Sequence, residues 1–299
     1  MEIEDYTPTK LLYSTSRVYV MEATNKISTI VVRVVRNNSG DTLPSTEIGQ
    51  LLQSLAPNFV QIYGEVECSG NTFYFDYGRY TKDEQIKLLK QANISNADKL
   101  LPFCDKRRIV IDKYNTSNVV SLSYILMEKL SLTLDDIKKT ISKQQYNFIV
   151  LSVLLQIAAA LQIAQDRYNF EHNDLHKGNI RLRSSDIKEL TYNIRGKKYT
   201  IPIHGYIGVI TDYEYARIIT PSQDLIGEEL QKIYTHTDSR NLLQGEGLQH
   251  LPLSSTAPLN TWQDISTLWY DLFEKEPTNM HTYFRVHGLK IPDINARPI

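Results

Sequence analysis

The feature that most constrains this 299-residue chain is a long apolar run, FIVLSVLLQIAAALQIA, from Phe148 to Ala164. The run is marginally short for a bilayer, and it contains Gln156 and Gln162, whose amides are costly to place in lipid. The pattern therefore predicts a long buried helix over 144–167 and no membrane span. The predicted inner face of this helix carries Phe148, Leu151, Leu155, Ala158 and Leu161.

The segments before and after Leu130 carry different secondary-structure signals. Before it, runs rich in Val, Ile, Thr and Tyr predict mostly strands, and Asn25 supplies the turn of a hairpin. After it, Thr133 and Asp136 have capping-box spacing, and DISTLWYDLF at 264–273 predicts a second apolar helix. The predicted class is α+β, with a strand-rich front lobe and a helical back lobe. The strands predicted in the front lobe cover 11–22, 27–36, 59–66, 71–77 and 119–128, with one helix over 46–55.

Charge and cysteine content exclude several classes of protein. The formal net charge is −1 and the pI is about 6.7, so no global positive field would hold nucleic acid or an anionic membrane. Cys68 and Cys104 are too few for a disulfide framework and lack metal-ligand spacing. The first ten residues are acidic and have no apolar core, unlike a signal peptide. These features predict a cytoplasmic protein that binds neither nucleic acid directly nor a membrane.

The chemistry is concentrated directly after the long helix, in FEHNDLHKGNI at 170–180. Asp174 precedes Asn179 by five residues, and Asp212 follows a strand-like run at 206–210. Phosphoryl transfer requires a group that orients a hydroxyl and ligands that hold Mg²⁺ on phosphate oxygens. Asp174 can accept a hydrogen bond from the attacking hydroxyl, while Asn179 and Asp212 offer Mg²⁺ one neutral and one charged oxygen. The alternative is a solvated loop with scattered polar residues.

These residues resemble two motifs of eukaryotic-like protein kinases. HNDLHKGN is similar to the catalytic loop H-R-D-L-x-x-x-N, and DYE is similar to the metal-binding D-F-G. The fuller string F-E-H-x-D-L-H-x-G-N, with a second motif that begins D-Y, is similar to haspin-like kinases and to kinases of large DNA viruses. The resemblance implies a two-lobed protein-kinase-like fold, with an N-lobe over 1–130 and a C-lobe over 131–299 that is cut short after its central helix. It implies an ATP- and Mg²⁺-dependent serine/threonine protein kinase that transfers the γ-phosphate to a protein hydroxyl, in the host cytoplasm if the protein is viral.

The same resemblance implies which residues contact the nucleotide. Met127 would be the gatekeeper, and the Glu128 carbonyl and the Leu130 amide would meet adenine. The alternative for this segment is one more buried strand. Val18 and Val31 would cover the base, or they are simply alternating apolar residues of strands.

Three further positions have implied roles. Asp264 would begin the central helix and hold the backbone of the catalytic loop, with an ordinary helix N-cap as the alternative. Glu47 would be the helix acid that pairs with a strand cation, or a surface glutamate. Lys177, inside the catalytic loop, would point at the γ-phosphate or into solvent.

The sequence departs from the kinase pattern at several positions. The stretch LLYSTSRVYVMEA at 11–23 has no glycine where kinases carry a glycine-rich loop, and Arg33 replaces the strand lysine. These losses favour the alternative of a pseudokinase that serves as a protein-binding scaffold. Asn173 replaces the arginine of H-R-D, so switching by loop phosphorylation is not expected. Arg181 stands where kinases have an apolar floor for adenine, either because the register is shifted by one residue or because the base pocket is unusual.

Two segments leave further alternatives open. Residues 184–205 predict an inserted hairpin that is either a docking surface or a solvated basic turn. Its basic residues are Lys188, Arg195, Lys197 and Lys198. Asp224, Glu228 and Glu229 suit either the acidic pocket of a small-molecule kinase, a class in which H-x-D-L-H-x-G-N also occurs, or the start of a helix.

Overall fold

The computed structural model describes residues 6–14, 18–37, 42–70, 120–130, 132–235 and 261–273. Cys104, the strand predicted over 71–77 and the expected end of the chain after the central helix lie outside these residues. The chain divides into two compact units, residues 1–46 with 62–129 and residues 47–61 with 130–299. The predicted lobes met at residue 130, and the division differs from them in placing 47–61 with the second unit.

The first unit contains a five-stranded antiparallel sheet. The strand predicted over 11–22 is wrong in one respect, because two separate strands cover this range and pair with each other, Ser14 opposite Tyr19. The strands predicted over 27–36, 59–66 and 119–128 are all present, with shifted ends. In the spatial order β1-β2-β3-β5-β4, the strands are β1 (Thr7–Ser14), β2 (Val18–Thr24), β3 (Thr29–Asn37), β4 (Ile62–Gly70) and β5 (Val120–Glu128).

The hairpin of β2 and β3 turns at Asn25, as predicted. The side-chain oxygen of Asn25 accepts hydrogen bonds from the backbone N–H groups of Ile27 and Ser28 at 2.8 and 2.7 Å. Asparagine favours such a turn because its short side chain satisfies the backbone donors that follow it. Alternate residues of β3 share one face of the sheet. The core on this face consists of Tyr6, Ala23, Ile30, Val32, Val34 and Leu126.

Helix α1 (Pro44–Leu52) confirms the helix predicted over 46–55, although it begins and ends earlier. Ile48 and Leu52 are four residues apart and fully buried, as expected for one face of a helix. The division between the two units falls inside α1, between Thr46 and Glu47.

The second unit has four more helices and three two-stranded sheets within the described residues. The helices are α2 (Leu134–Lys138), α3 (Lys143–Tyr168), α4 (Glu228–Thr235) and α5 (Thr261–Phe273). The antiparallel pairs are β6 (Ile180–Ser184) with β9 (Tyr206–Ile210), β7 (Glu189–Ile194) with β8 (Lys197–Pro202), and β10 (Arg217–Ile219) with β11 (Asp224–Ile226). The predicted capping box of Thr133 and Asp136 is present at the start of α2.

Helix α3 is the core helix of this unit. By length and composition it could cross a membrane, but 83% of its most apolar window is buried inside the protein. The helix predicted over 144–167 is therefore confirmed, and every residue from Ile149 to Gln162 is buried. Phe148 was predicted on the inner face, and this is wrong, since its side chain is 46% exposed.

The buried polar side chains of Gln156 and Ser152 are satisfied by hydrogen bonds. Gln156 donates to the Ser152 hydroxyl at 2.9 Å and to the Tyr206 carbonyl at 3.2 Å, and it accepts from the Gly208 N–H at 3.0 Å. The Ser152 hydroxyl in turn donates to the carbonyl of Pro202 in β8. A buried amide is tolerated here because each of its polar atoms has a partner.

The insertion predicted over 184–205 is the β7–β8 hairpin, and it is fixed to the rest of its unit. The Tyr192 hydroxyl donates to Asn58 Oδ1 at 2.7 Å. Arg195, at the hairpin turn, donates to both carboxylate oxygens of Asp166 in α3 at 2.7 and 3.0 Å. All four of its basic residues, Lys188, Arg195, Lys197 and Lys198, are exposed, and their use as a docking surface stays a prediction.

Candidate active site

Aromatic packing positions the segment that follows α3. The ring of Phe170, 1% exposed, meets those of Phe59, His172 and Tyr213 edge-on, at centroid distances of 6.2, 6.3 and 6.4 Å. Edge-on contacts place the positive edge of one ring against the negative face of another. The cluster thereby joins the F-E-H start of the predicted catalytic loop to the tyrosine of D-Y-E.

One buried carboxylate holds two backbone amides at the start of this loop. Asp264 accepts hydrogen bonds from the N–H groups of His172 and Asn173 at 2.8 and 2.9 Å. Helix α5 begins at Thr261, three residues before Asp264, so the N-cap alternative is wrong. Burial raises the pKa of Asp264 to about 7, against the opposing effect of the two amide donors. The anchoring contact that the sequence predicted for Asp264 is confirmed.

Two residues of the site adopt left-handed backbone conformations. Asn173 has φ 64° and Asp212 has φ 69°. Asparagine and aspartate tolerate this region better than other non-glycine residues, so both residue types suit their positions. The Asn173 side chain also donates to the carbonyl of Tyr215 at 3.1 Å. An uncharged amide thus holds the segment after Asp212, where an arginine would need an anionic partner.

Asp174 and Asn179 are in direct contact. The Asn179 Nδ2 donates to the backbone oxygen of Asp174 at 2.9 Å and to its carboxylate Oδ2 at 3.2 Å. Asn179 is 8% exposed, whereas the Asp174 side chain is 21% exposed. The loop therefore places a partly accessible carboxylate beside a buried amide whose orientation is fixed.

Asp212 is linked to Asn179 through the residue before it. Thr211 donates its N–H and its hydroxyl to the Asn179 carbonyl at 2.9 and 3.1 Å. Strands β6 and β9 pair side by side, β6 beginning just after Asn179 and β9 ending just before Thr211. The structure therefore brings the three residues predicted for phosphoryl transfer to the same end of this small sheet.

The electrostatics suit Asp174 as a proton acceptor. Burial raises the pKa of Asp174 to about 6, and the charge of Asp212 contributes in the same direction. The charge of His176 and the hydrogen bond from Asn179 oppose the rise. A carboxyl whose pKa lies nearer to neutrality is a stronger base than an ordinary aspartate and is still ionised at pH 7.

The buried histidine of the loop is neutral. Burial lowers the pKa of His172 to about 4. Its Nε2 lies 3.1 Å from the carbonyl of Thr211, so Nε2 carries the hydrogen and donates it. His172 thus fixes the backbone before Asp212 without adding a charge to the site.

His176 closes a short 3₁₀ turn over Lys177–Asn179. Its Nδ1 accepts the Gly178 N–H at 3.0 Å, and its Nε2 lies 3.7 Å from Oδ2 of Asp174. Because Nδ1 accepts, Nε2 is the ring nitrogen that carries a hydrogen toward Asp174. A Cβ at Gly178 would lie 2.6 Å from the His176 ring, which accounts for glycine at this position.

The residues present fit a Mg²⁺ site. Within the described ranges, no three His, Cys, Asp or Glu side chains cluster closely enough to hold a metal ion. The predicted ligand set is of another kind, one amide oxygen and one carboxylate, with water and phosphate oxygens completing the shell that Mg²⁺ favours. Asn179 fits this use because Nδ2 is committed to Asp174, while Oδ1 accepts no hydrogen bond from any described residue.

The residues predicted to contact the nucleotide lie in or directly after three strands. Val31 and Met127 lie directly opposite each other on β3 and β5, so these two are cross-strand neighbours. Val31 is buried and the others are half-buried. Strands β2, β3 and β5 of the first unit carry Val18, Val31, Arg33, Met127 and Glu128, whereas Leu130, which follows β5, belongs to the second unit.

Glu47 and Lys177 have partners that the sequence did not predict. Glu47 in α1 accepts a hydrogen bond from the side chain of Gln223 at 2.8 Å. Its pairing with a strand cation stays a prediction. The Lys177 side chain is exposed, and its backbone N–H donates to Asp271 Oδ2 at 2.6 Å.

Arg181 lies in β6. Ile180 and Leu182, on either side of it, are buried, and the alternation of the strand places Arg181 on the opposite face of β6, beside Val209 of β9. Both explanations for Arg181, a register shifted by one residue and an unusual base pocket, stay predictions. Hydrogen bonds from Thr133 lower the pKa of Asp136, and the charge of Arg181 adds a smaller effect, so Arg181 lies close to the start of α2.

Thr211 and Asp271 were not predicted from the sequence. Thr211 binds Asn179 mainly through its backbone, which no side-chain pattern signals. Asp271 could have been found, because it follows Asp264 by seven residues and therefore lies on the same face of a helix, two turns later.

A model of a protein family, described as haspin like kinase domain, matches residues 72–249, more than half of the chain. The chain belongs to the haspin-like kinase domain family. The kinase-like fold and the resemblance of the two motifs are thereby confirmed.

Shorter matches to individual proteins agree with membership of the haspin-like family. The serine/threonine-protein kinase haspin of Mus musculus is 46% identical over 67 residues, 22% of this chain and 9% of that protein. The haspin homolog of Arabidopsis thaliana is 38% identical over 69 residues, 23% and 12% of the two chains. A protein of Invertebrate iridescent virus 3 that is named as a kinase is 36% identical over 75 residues, 25% and 14%. The matched stretches span about a tenth of the length of these relatives.

Proposed function

We propose that this haspin-like protein is a serine/threonine protein kinase that transfers the γ-phosphate of ATP to a protein hydroxyl with the help of Mg²⁺. The observation that carries the proposal is the contact of Asp174 with Asn179, together with the Thr211 link that brings Asp212 to the same end of the β6–β9 sheet. A proton acceptor and two oxygen ligands lie together there, as phosphoryl transfer requires.

The residues suggest a division of labour in this reaction. The substrate hydroxyl oxygen forms a bond to the γ-phosphorus while the bond to the ADP oxygen breaks, and Asp174 accepts the hydroxyl proton. Asn179 Nδ2 holds the Asp174 carboxylate in place, and Asn179 Oδ1 and Asp212 would hold Mg²⁺. A bound Mg²⁺ would neutralise charge on the phosphate oxygens. Lys177 is proposed to add positive charge near the γ-phosphate.

Other predicted residues complete the proposed nucleotide site. Met127, Glu128 and Leu130 are proposed to contact adenine, and Val18 and Val31 to cover it. Arg33, with Glu47 as its expected partner, is proposed to replace the strand lysine. A cytoplasmic location is likewise a proposal, supported by the low cysteine content.

Labelled ATP and a panel of proteins test the activity. Wild type is compared with Asp174→Asn, which keeps the shape of the side chain but cannot accept the proton, and with Asp212→Ala, which removes a metal ligand. We expect label on a serine or threonine with wild type only. Equal labelling by Asp174→Asn would contradict the assignment of the base, and equal labelling by Asp212→Ala would point to a contaminating kinase.

A pseudokinase is the second candidate. Two features favour it, the absence of glycine from 11–23 and Arg33 in place of the strand lysine. A ligand that binds only the folded state raises its stability with ligand concentration. A melting temperature that does not change with ATP and Mg²⁺, together with no phosphate transfer, would favour the scaffold over the enzyme.

The structure gives less support to a small-molecule kinase. An acidic pocket would need free carboxylates after the D-Y-E motif. Arg217 instead donates to both oxygens of Asp224 at 2.8 and 3.0 Å. Glu228 and Glu229 lie in the first turn of α4, as the helix-start alternative predicts, and Glu229 pairs with Lys232.

A further inference from the structure

Two carboxylates on one face of α5 hold the two ends of the catalytic loop. Asp264 accepts the N–H groups of His172 and Asn173, just before Asp174. Asp271 accepts the N–H of Lys177 at 2.6 Å, just before Asn179. The two acids are seven residues apart, which places them about 10 Å apart along the helix axis.

We propose that Asp271 is a positioning residue for phosphoryl transfer, because it fixes the 3₁₀ turn that carries Asn179 and so sets the position of Asn179 relative to Asp174. This inference rests on the proposed kinase function. It assigns to the helix a second anchor in addition to the buried Asp264.

The hydrogen bonds of the turn show why an outside anchor is needed. The Gly178 N–H is taken by the His176 ring, and the Asn179 N–H by the His176 carbonyl at 3.0 Å. Both contacts lie within the turn, so they preserve its shape without fixing its place. Among the described residues, the backbone donor of the turn that bonds to another element is the Lys177 N–H. Its acceptor is Asp271 in α5.

The Asp271 contact is of a strong kind. A hydrogen bond from a neutral donor to an ionised carboxylate is shorter than one between neutral groups, and the 2.6 Å separation agrees with this. Asp271 is half-buried, so water competes with the contact only in part. Without the carboxylate, the turn would keep its internal hydrogen bonds and the Thr211 contacts to the Asn179 carbonyl, but its Lys177 end would lose its anchor, so the turn could tilt and shift Asn179 relative to Asp174.

The expected effect is on the chemical step. A misplacement of about 1 Å in a reacting group can reduce the rate by roughly 10²-fold. We expect Asp271→Ala to lower kcat by roughly 10- to 100-fold and to change the KM for ATP by less than about threefold, because the turn orients reacting groups rather than binding most of either substrate. Asp271→Asn keeps an oxygen acceptor, and its kcat should stay within about fivefold of wild type.

Amide hydrogen exchange provides a readout that does not depend on activity. Without nucleotide, the Lys177 amide should exchange about tenfold faster in Asp271→Ala than in wild type, since the variant lacks a hydrogen bond to a charged acceptor. Asp271→Asn should show an intermediate rate. Alanine favours a helix more than aspartate does, so a loss in Asp271→Ala would not reflect a weakened α5.

Asp166→Ala serves as the matched control. It also removes a carboxylate that accepts hydrogen bonds, but these come from Arg195 in the β7–β8 hairpin and from Gln162 in α3. We expect its kcat and its Lys177 exchange rate to equal those of wild type. A loss of kcat as large as that of Asp271→Ala would overturn the proposal, because any lost surface acid would then have the same effect.

The outcomes separate this inference from the proposed function. Wild-type kcat or unchanged Lys177 exchange in Asp271→Ala would overturn the positioning role. Alternatively, the Lys177 amide could exchange faster in Asp271→Ala while wild type transfers no phosphate. That result would support Asp271 as the anchor of the turn, and it would contradict both the kinase activity and a role of Asp271 in that activity.

Discussion

Asn179 donates one side-chain amide group to both the backbone oxygen and the carboxylate of Asp174, five residues earlier. The contact is a direct hydrogen bond between the side chains of the predicted base and a predicted metal ligand. It also turns the other end of the amide, Oδ1, away from Asp174. One side chain therefore both orients the base and leaves an oxygen available for a cation.

The pH dependence of the reaction should show the unusual acidity of Asp174. Its pKa is raised to about 6, and the reaction needs the ionised form, so activity is present above pH 6 and is lost as the pH falls. Measured as kcat/KM, which reports the free enzyme, activity should fall about tenfold per pH unit below 6. Tryptophan fluorescence over the same range checks that the protein stays folded. A profile that is flat down to pH 5 would contradict the assignment of Asp174.

Asp264→Asn should destabilise the fold. Asparagine offers one acceptor oxygen in place of two, so its NH₂ group would face one of the two backbone N–H groups that Asp264 accepts. A buried donor without a partner costs about 1–3 kcal/mol, and urea denaturation would measure the loss.

The loss in free energy of unfolding caused by Asp264→Asn should also depend on pH. The folded-state pKa of Asp264 is about 7 and its ordinary value is 3.8, so between these values the folded state keeps a proton that the unfolded state has lost. The wild-type stability contributed by this group therefore falls as the pH rises through that range. Asparagine does not titrate, so the difference between the two proteins should be smaller at pH 7.5 than at pH 4.5. A difference that grows with pH would be inconsistent with the raised pKa.

Gly208→Ala should destabilise the second unit. A Cβ at this position would lie 2.7 Å from Val153 Cγ1 in α3, closer than side chains approach each other. Such overpacking costs about 1–3 kcal/mol. Gly64→Ala is the matched control, because nothing lies within 4 Å of a Cβ there. Combining Gly208→Ala with Val153→Ala should recover part of the loss, and equal stability of the two single glycine variants would refute the prediction.

Tyr192→Phe should weaken the attachment of the β7–β8 hairpin. The variant leaves Oδ1 of Asn58, a fully buried residue, without the hydroxyl that now donates to it. The expected loss is about 1–3 kcal/mol in the free energy of unfolding. Tyr199 lies opposite Tyr192 on the facing strand, and Tyr199→Phe should change stability by less than about 0.5 kcal/mol. A similar loss in both variants would mean that the hydrogen bond to Asn58 is not the cause.

Local features were the most predictable parts of the fold. The turn at Asn25 and the capping box of Thr133 and Asp136 depend on residues within three positions of one another, and the sequence shows these directly. The three candidate residues of the site were also found from sequence, because the chemistry restricts which side chains can serve and the loop fixes the spacing of Asp174 and Asn179.

The features that the sequence did not predict depend on distant parts of the chain. Phe148 has the right helical spacing to be buried, yet the fold leaves it half exposed near the ring of His204. The contact of Glu47 with Gln223 joins residues 176 positions apart, and no pattern around either residue signals it. Periodicity shows that a residue can be buried, but only the neighbours brought by the fold decide whether it is covered.

The attachment of the β7–β8 hairpin has a consequence for engineering. Asn58, Gln156 and Ser152 use their hydrogen-bonding groups on this hairpin and on the strand that follows it. Cutting out residues 186–204 would remove the partners of Asn58 Oδ1 and of the Ser152 hydroxyl in an apolar interior, so a shortened chain would have to replace these two side chains with apolar ones at the same time. A family member without the insertion should therefore differ from this chain at both positions, and comparing such sequences would show whether they change together.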